Sequence, residues 1–598
     1  MVRVLGIFIA IFINAYLFAK EHTVILLQAD DNGVLSENNS TKKAAIPPPK
    51  NEADPSLKKN EEKKIDEKNS LYDPQELNRE LNRREETFKF YSKFFEDNYK
   101  PLWFTEDKRF TVNALWIIKA IKESETHGLN PEKYHKSKIF SLTKKLIDKE
   151  YANEKERNFI TKELDILFTD AYISLAYDMY YGFGNWREIV KISETKKEKF
   201  EWLRENKNIN LIDYLAKRFI KKEVKKAIDD LAPPYKEYEN LKKALSFYKK
   251  IAENGGFEKI PFGKTIRYGS KDPRLIVIRK RLGLDINQTE DPAYYDKKLL
   301  KEVKNFQKRF SLFPDGSIGY KTIKAMNIPV EEIIDKIVLN MERYRWLPKD
   351  ITKPYIEINI PSFEMIFKKE NGSIMKMPVI VGKKERPTPV FTSYISSIVL
   401  NPYWHVPKTI VQKDLLKKIK TNPESFYQKN MHVYDNWKLE NEINIYDVDW
   451  NQFTEEDNIP FVFVQEPGIY NPLGKVKFQF SNPFAVFMHD TPNKSLFNKR
   501  KRMFSSGCIR LKKPMKLLKY IVEKINGMNF LKIKDIIDSK EHYVINLKKK
   551  IPIVIDYITA KADENGKIRL YEDIYGYDKI QLTVLKSDFP SKIKFASK

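Results

Sequence analysis

From Tyr72 to about Gly256, apolar residues recur every three to four positions, as in NALWIIKAIKESETHGL and KELDILFTDAYISLAYDMYYGF. That period predicts amphipathic helices, and Pro233-Pro234 interrupts them. An all-helical domain is expected, with its many aromatic residues as core. Helical segments return between 273 and 327, with an Asp-Gly turn before the last and a cap near Thr322. After the helix VEEIIDKIVLNMERYRWLP the period shortens to two. YIEINIPSFEMIFKKENG alternates and ends on Asn-Gly, a hairpin signal. MPVIVGKKERPTPVFTSYISSIVLNPYW continues as short strands, and a helical, polar stretch from Thr409 to about Pro460 interrupts the series. Strands resume with FVFVQEPG and KVKFQFSNPFAVFMHD, followed by the helix PMKLLKYIVEKING. The tail PIVIDYITAKADENGKIRLYEDIYGYD reads as two strands across another Asn-Gly turn.

The first residues break this picture. One Arg precedes an apolar run from Val4 to Ala19, shorter than the ~20 residues of a membrane-spanning helix and suited to an export signal. Cleavage after Ala19 and retention as an inner-membrane anchor are both open, and a periplasmic location is expected either way. Residues 20–70 are rich in Pro, Lys and Glu and are expected to be a disordered tether. A chain of 598 residues exceeds one core, so about two to four domains are expected. Lys and Arg total 108 against 82 Asp and Glu, a formal charge of +26. That excess fits a solvated Lys-rich surface or attraction to an anionic polymer. Nucleic acid is not indicated, because no zinc-ligand spacing or RNA-binding motif accompanies the charge. The seven His are scattered, so no metal and no cofactor is expected.

Chemistry concentrates in FAVFMHDTPNKSLFNKRKRMFSSGCIRL, residues 484–511. His489 closes a strand, and the chain's one cysteine, Cys508, follows 19 positions later. A single Cys forms no internal disulfide, and a free thiol in an exported protein points to reactivity. A thiol is weakly ionised at neutral pH, so a nucleophilic Cys needs a base in reach and the base needs an acceptor on its other nitrogen. Gly507 permits unusual dihedrals beside the nucleophile, and neighbouring amides can face an oxyanion. Arg510 favours thiolate and suits a substrate carboxylate.

Two resemblances follow from these residues. VKNFQKRFSLFPDGSIGYKTIKAMN is similar to the type 1 peptidoglycan-binding module through Phe306, Gln307, Asp315, Gly316, Gly319, Thr322 and Asn327. The order His, a gap of about fifteen residues, then Ser-Ser-Gly-Cys closely resembles the L,D-transpeptidase (YkuD-type) catalytic domain. NMERYRWLP, PVIVGKKERPTPVF, NPYWHVP, NPLGKVKFQF and DIYGYD resemble its large Gram-negative, YcbB-like branch.

The resemblance implies an α+β multidomain chain: a helical scaffold domain, a small three-helix peptidoglycan-binding module, and a mixed, β-sandwich-like catalytic domain with a helical lid. The expected bounds are 71–260 for the scaffold, 261–330 for the module, 350–540 for the catalytic domain with its lid at about 409–460, and 541–598 for a C-terminal β extension. Cys508 is implied as nucleophile, His489 as base and the Asp490 carbonyl as its orienting acceptor. Amides around Ser506, Gly507 and Cys508 are implied as the oxyanion hole, with Arg510, Trp404 and Ser505 beside the substrate. The implied reaction is two-step acyl transfer between peptidoglycan stem peptides on glycan strands, forming 3-3 cross-links. Hydrolysis by the same site, as an L,D-carboxypeptidase, and a non-catalytic wall-binding scaffold remain alternatives. A papain-like protease is disfavoured, because there Cys precedes His.

Overall fold

The computed structural model describes residues 81–94, 101–195, 199–204 and 209–586. The expected export segment and tether lie outside them. No helix among the described residues is long and apolar enough to cross a membrane. The chain divides into two compact units, one containing Ser137–Ile166 and the other Asn82–Lys136 and Leu167–Lys598. In the smaller unit Lys138 pairs with Glu163 at 2.6 Å. The larger unit holds most of the helical region, the small module and all the strands.

Helix Val112–Glu123 begins at Thr111, whose hydroxyl accepts the Ala114 amide, and buries Ala114, Ile117, Ala120 and Ile121. That stripe is the three-to-four spacing read as a packing face. Trp103 is fully buried, with the Phe219 ring 4.9 Å and the Tyr172 ring 5.9 Å away. Trp103, Phe168, Tyr172 and Phe219 are core, whereas Phe88, Phe159 and Phe247 are exposed.

The small module packs Leu275, Leu299, Val303, Phe306, Ile323 and Met326 into its own core. Its polar motif residues form an internal frame. The Gln307 amide donates to Asp315 Oδ1 (3.1 Å), the Ser317 carbonyl (3.0 Å) and Thr322 Oγ1 (3.2 Å), and its carbonyl accepts the Gly316 amide at 2.9 Å. Thr322 is not the helix cap. The helix spans Tyr320–Met326 with Gly319 at its start, and Thr322 is buried inside it, where its hydroxyl serves Gln307.

Helix Val330–Trp346 buries every residue from Ile337 to Trp346, two arginines included. Arg343 Nη1 meets Asp578 Oδ1 at 2.7 Å, and its Nε donates to Gln581 Oε1 at 2.8 Å. Arg345 pairs with Glu342 at 3.0 Å and donates to the Tyr238 hydroxyl at 3.0 Å. Helix period therefore understates this segment, whose charged positions are interior.

The strands, in chain order, begin with β1 (Tyr355–Asn359), β2 (Glu364–Lys368), β3 (Ile374–Gly382), β4 (Phe391–Leu400), β5 (Trp404–His405), β6 (Met431–Tyr434) and β7 (Val462–Gln465). They continue with β8 (Val476–Phe480), β9 (Met488–His489), β10 (Met503–Ser505), β11 (Ile509–Leu511), β12 (Tyr543–Asp556), β13 (Ala560–Ala562) and β14 (Ile568–Leu570). The main sheet runs β10-β3-β11-β9-β8-β4-β12-β1-β2, and β2 also pairs with β3. That last pairing closes the sheet into a barrel-like ring around Ile356, Ile358, Val379, Ile395, Phe478, Met488, Ile509 and Ile553. Closure, rather than two stacked faces, satisfies what would otherwise be open edges.

The stretch from 541 onward is not an appendage. β12 lies between β4 and β1 and completes the ring. Its register against β4 shifts between Asn546 and Ile551, where Lys548-Lys549-Lys550 spoils the alternation. The β13–β14 hairpin turns at Asn565-Gly566 as expected, but the chain then ends its described course in a helix, Tyr577–Leu585. The insertion after β4 carries its own sheet, β5-β7-β6, over a core of Val411, Leu415, Phe426, Trp450 and Phe463. Arg386 grips Asp414 of this insertion through two bonds of 2.6 and 2.9 Å.

Candidate active site

β9 and β11 run side by side in parallel, with Ile509 opposite Met488 and Arg510 opposite His489. Ile509 and Met488 are fully buried in the ring's core. Side chains alternate across a strand, so Arg510 and His489 occupy the other face; Phe487 and Cys508 immediately precede the two strands, and the Cys508 thiol feels Lys477, Arg510 and the Phe487 backbone. On the neighbouring strand Lys477 lies opposite His489, its ammonium 4.3 Å from the Phe487 ring centre. Lys477 was missed in the sequence reading. Its signal is the alternation of KVKFQF, which sends Val476, Phe478 and Phe480 inward and Lys477 to the His489 side.

His489 is buried, and its Nδ1 lies 2.5 Å from the Asp490 carbonyl oxygen. A carbonyl only accepts, so Nδ1 carries the hydrogen and Nε2 keeps a lone pair. The Asp490 carboxylate turns away, accepting the Lys475 amide at 3.0 Å and pairing with Lys494.

Ser505 is buried. Its hydroxyl donates to the Cys508 carbonyl at 2.5 Å and accepts the Gly507 amide at 3.3 Å. It is a tie within the loop and does not stand in the cleft beside a substrate. Gly507 has φ +113°, with Val486 3.3 Å from where a Cβ would sit, so a side chain here is strained and crowded. Because the Gly507 amide is taken, three free amides do not converge. Among the described residues the Cys508 amide meets no acceptor. Trp404 is on a different sheet, paired with Gln465 of β7 and packed against the insertion's core.

Burial raises the Cys508 thiol to about 11, although the Phe487 backbone, Lys477 and Arg510 pull it down. Burial lowers His489 to about 3, helped by Arg510 and Lys477 and opposed by the Asp490 and Leu473 carbonyls. Between those limits the free site holds a neutral thiol and a neutral imidazole. Alkylation of Cys508 by iodoacetamide is therefore expected to rise about tenfold per pH unit from about 7 to 10, with no plateau near the ordinary thiol value of ~8.5. Arg510→Gln is expected to slow it at fixed pH, since a thiolate-favouring cation is gone. A plateau below pH 9 contradicts this account.

Residues 353–529 match the family described as the L,D-transpeptidase catalytic domain (YkuD). Residues 87–245 match a scaffold domain, and 280–326 a "Putative peptidoglycan binding domain". A curated protein named "Putative L,D-transpeptidase", from Haemophilus influenzae (strain ATCC 51907 / DSM 11121 / KW20 / Rd), is 32% identical over 288 residues, covering 47% of this chain and 57% of that protein. The match thus spans little more than half of that relative. A crystal structure of the L,D-transpeptidase (residues 123-326) from Xylanimonas cellulosilytica DSM 15894 is 12% identical and covers 50% of this chain and 99% of its own, with a TM-score of 0.16, too low to bear on the fold. The segment that holds His489 and Cys508 thus matches the L,D-transpeptidase catalytic domain family, and the same chain matches a scaffold domain and a "Putative peptidoglycan binding domain".

Proposed function

We propose that this chain is a peptidoglycan L,D-transpeptidase forming 3-3 cross-links through a Cys508 thioester. The observation that carries the reading is the parallel pairing that sets Arg510 opposite His489, with Cys508 immediately ahead of the same strand and His489 Nδ1 held by the Asp490 carbonyl. The imidazole Nε2 takes the thiol proton as sulfur attacks the carbonyl of the third stem residue. The tetrahedral oxyanion collapses, and the terminal D-alanine leaves with that proton. The side-chain amine of diaminopimelate on a neighbouring stem then attacks the thioester and returns the sulfur to a thiol.

Arg510 suits the stem's carboxylate. Its Nε is buried without a protein partner, and among the described residues no carboxylate lies within ion-pair reach of Arg510 or Lys477. A half-buried guanidinium whose Nε has no partner is well placed to gain from an arriving anion. The peptidoglycan-binding module supports the wall as partner, and the apolar run at Val4–Ala19 supports a periplasmic site of action. The scaffold, module and insertion on one chain support the YcbB-like branch.

Intact mass spectrometry after incubation with a carbapenem tests the reading. An adduct mapped to Cys508, together with 3-3 cross-linked dimers from tetrapeptide muropeptides, is expected. Hydrolysed monomers alone indicate a carboxypeptidase, and an unmodified Cys508 indicates a wall-binding scaffold.

A further inference from the structure

We infer that Thr388 and Tyr575 are positioning residues that aim the Cys508 amide at the oxyanion. The inference rests on the transpeptidase reading and names parts of its machinery outside the His–Cys motif. Thr388 is fully buried in the loop between β3 and β4, and Tyr575 is buried near the end of the described chain, beyond the segment that matches the catalytic family.

Four hydrogen bonds link Thr388, Tyr575 and Gly382 into one network, and one of the four reaches the nucleophile loop. The Gly382 amide donates to Thr388 Oγ1 at 2.8 Å, and the Thr388 hydroxyl donates to the Gly507 carbonyl at 2.7 Å. The Thr388 amide donates to the Tyr575 hydroxyl at 3.1 Å, which donates to the Gly382 carbonyl at 2.7 Å. Valence dictates every direction. The backbone carbonyls only accept and the amides only donate, so each hydroxyl's single hydrogen has one destination. Upstream, the Tyr575 amide donates to the Tyr557 hydroxyl at 2.8 Å, and that hydroxyl donates to Asp573 at 2.7 Å.

The consequence lies in peptide geometry. Gly507 C=O and Cys508 N–H belong to one planar trans unit and point in opposite directions. Holding the carbonyl therefore sets the direction of the amide. Among the described residues that amide is unspent, as is the Ser506 amide, whereas the Gly507 amide goes to Ser505. Gly507, at φ +113°, is the kind of residue whose peptide can rotate if released. Gly382 must be glycine for the arrangement to form, because a Cβ there would meet the Arg386 carbonyl oxygen at 2.2 Å.

Two reactions of the same sulfur separate this role from general disruption. Acylation by a carbapenem develops an oxyanion, whereas alkylation by iodoacetamide does not. Deleting an oxyanion donor outright costs ~100- to 1,000-fold, and Thr388→Val misaims one, so a fall in acylation of about 10- to 100-fold is expected with alkylation within about twofold of wild type. Thr388→Ser keeps the hydroxyl and is expected to restore acylation. Tyr575→Phe, a second test should Thr388→Val fold poorly, is expected to show a smaller loss with the same split.

Wild-type acylation rates in both Thr388→Val and Tyr575→Phe overturn the inference, as does an equal fall in both reactions. A wild-type protein that is alkylated but never acylated overturns the transpeptidase reading and this inference with it. Normal wild-type acylation with unaffected variants removes the inference alone.

Discussion

Acylation of Cys508 by a carbapenem is expected to fall by about 100- to 10,000-fold in His489→Ala, the usual contribution of a positioned general base, and to vanish in Cys508→Ala. The magnitude follows from the neutral ground state. With the thiol raised and the imidazole lowered, no stored thiolate exists to react without the base, so proton removal must accompany attack. The same reasoning fixes the acid side of the pH profile. His489 is already unprotonated far below neutrality, so wild-type acylation should not decline between about pH 8 and 5 through protonation of the free imidazole. Mass-resolved time courses across that range check both statements. Acylation of His489→Ala within tenfold of wild type removes His489 as base, and a sharp loss near pH 6.5 removes the lowered imidazole.

The second large effect is on stability. Arg343→Ala leaves Asp578 buried without its main partner, and breaking a buried pair costs ~3–5 kcal/mol. A fall in melting temperature on the order of 10 °C is expected for a domain of this size. The double variant Arg343→Met with Asp578→Leu should melt above either single variant, because it leaves no orphaned charge. Burial pushes the Asp578 carboxyl up, but Arg343, Lys336 and the Thr559 hydroxyl outweigh it and hold it below the ordinary range. Its stabilisation is therefore complete above the unfolded value of ~3.9 and is lost as pH drops through the lower folded value. An Arg343→Ala melt within 2 °C of wild type refutes the assignment.

Much of the architecture was legible because it is local. Alternation and Asn371-Gly372 specify the β2–β3 hairpin, and the spacing in NALWIIKAI specifies a buried stripe. His489 and Cys508 were legible because a nucleophilic thiol needs a base in reach and because their order and the adjoining Gly resemble the L,D-transpeptidase pattern. Long-range pairing was not. Nothing in PIVID announces that Ile553 will pair with Ile356, and parallel ladders leave no turn between partners to read. The hydrogen bonds of Ser505 within its own loop were hidden for a related reason. Position beside the nucleophile does not say whether a hydroxyl faces the cleft or folds back on its own loop. Lys477, Thr388 and Tyr575 reach the site only through strand register and ring closure, which no motif spacing encodes.

Ring closure also sets an order of events during synthesis. β1 finds its parallel partner β12 about 200 residues later, so the barrel stays open until nearly the whole catalytic segment has emerged. Non-local pairings of this kind fold slowly, which leaves the polypeptide unclosed for much of its synthesis. A nascent chain stopped before Tyr543 presents β1 and β4 as two raw edges, and such a fragment should be a substrate for chaperones and proteases before it can ever be a hydrolase or a transferase.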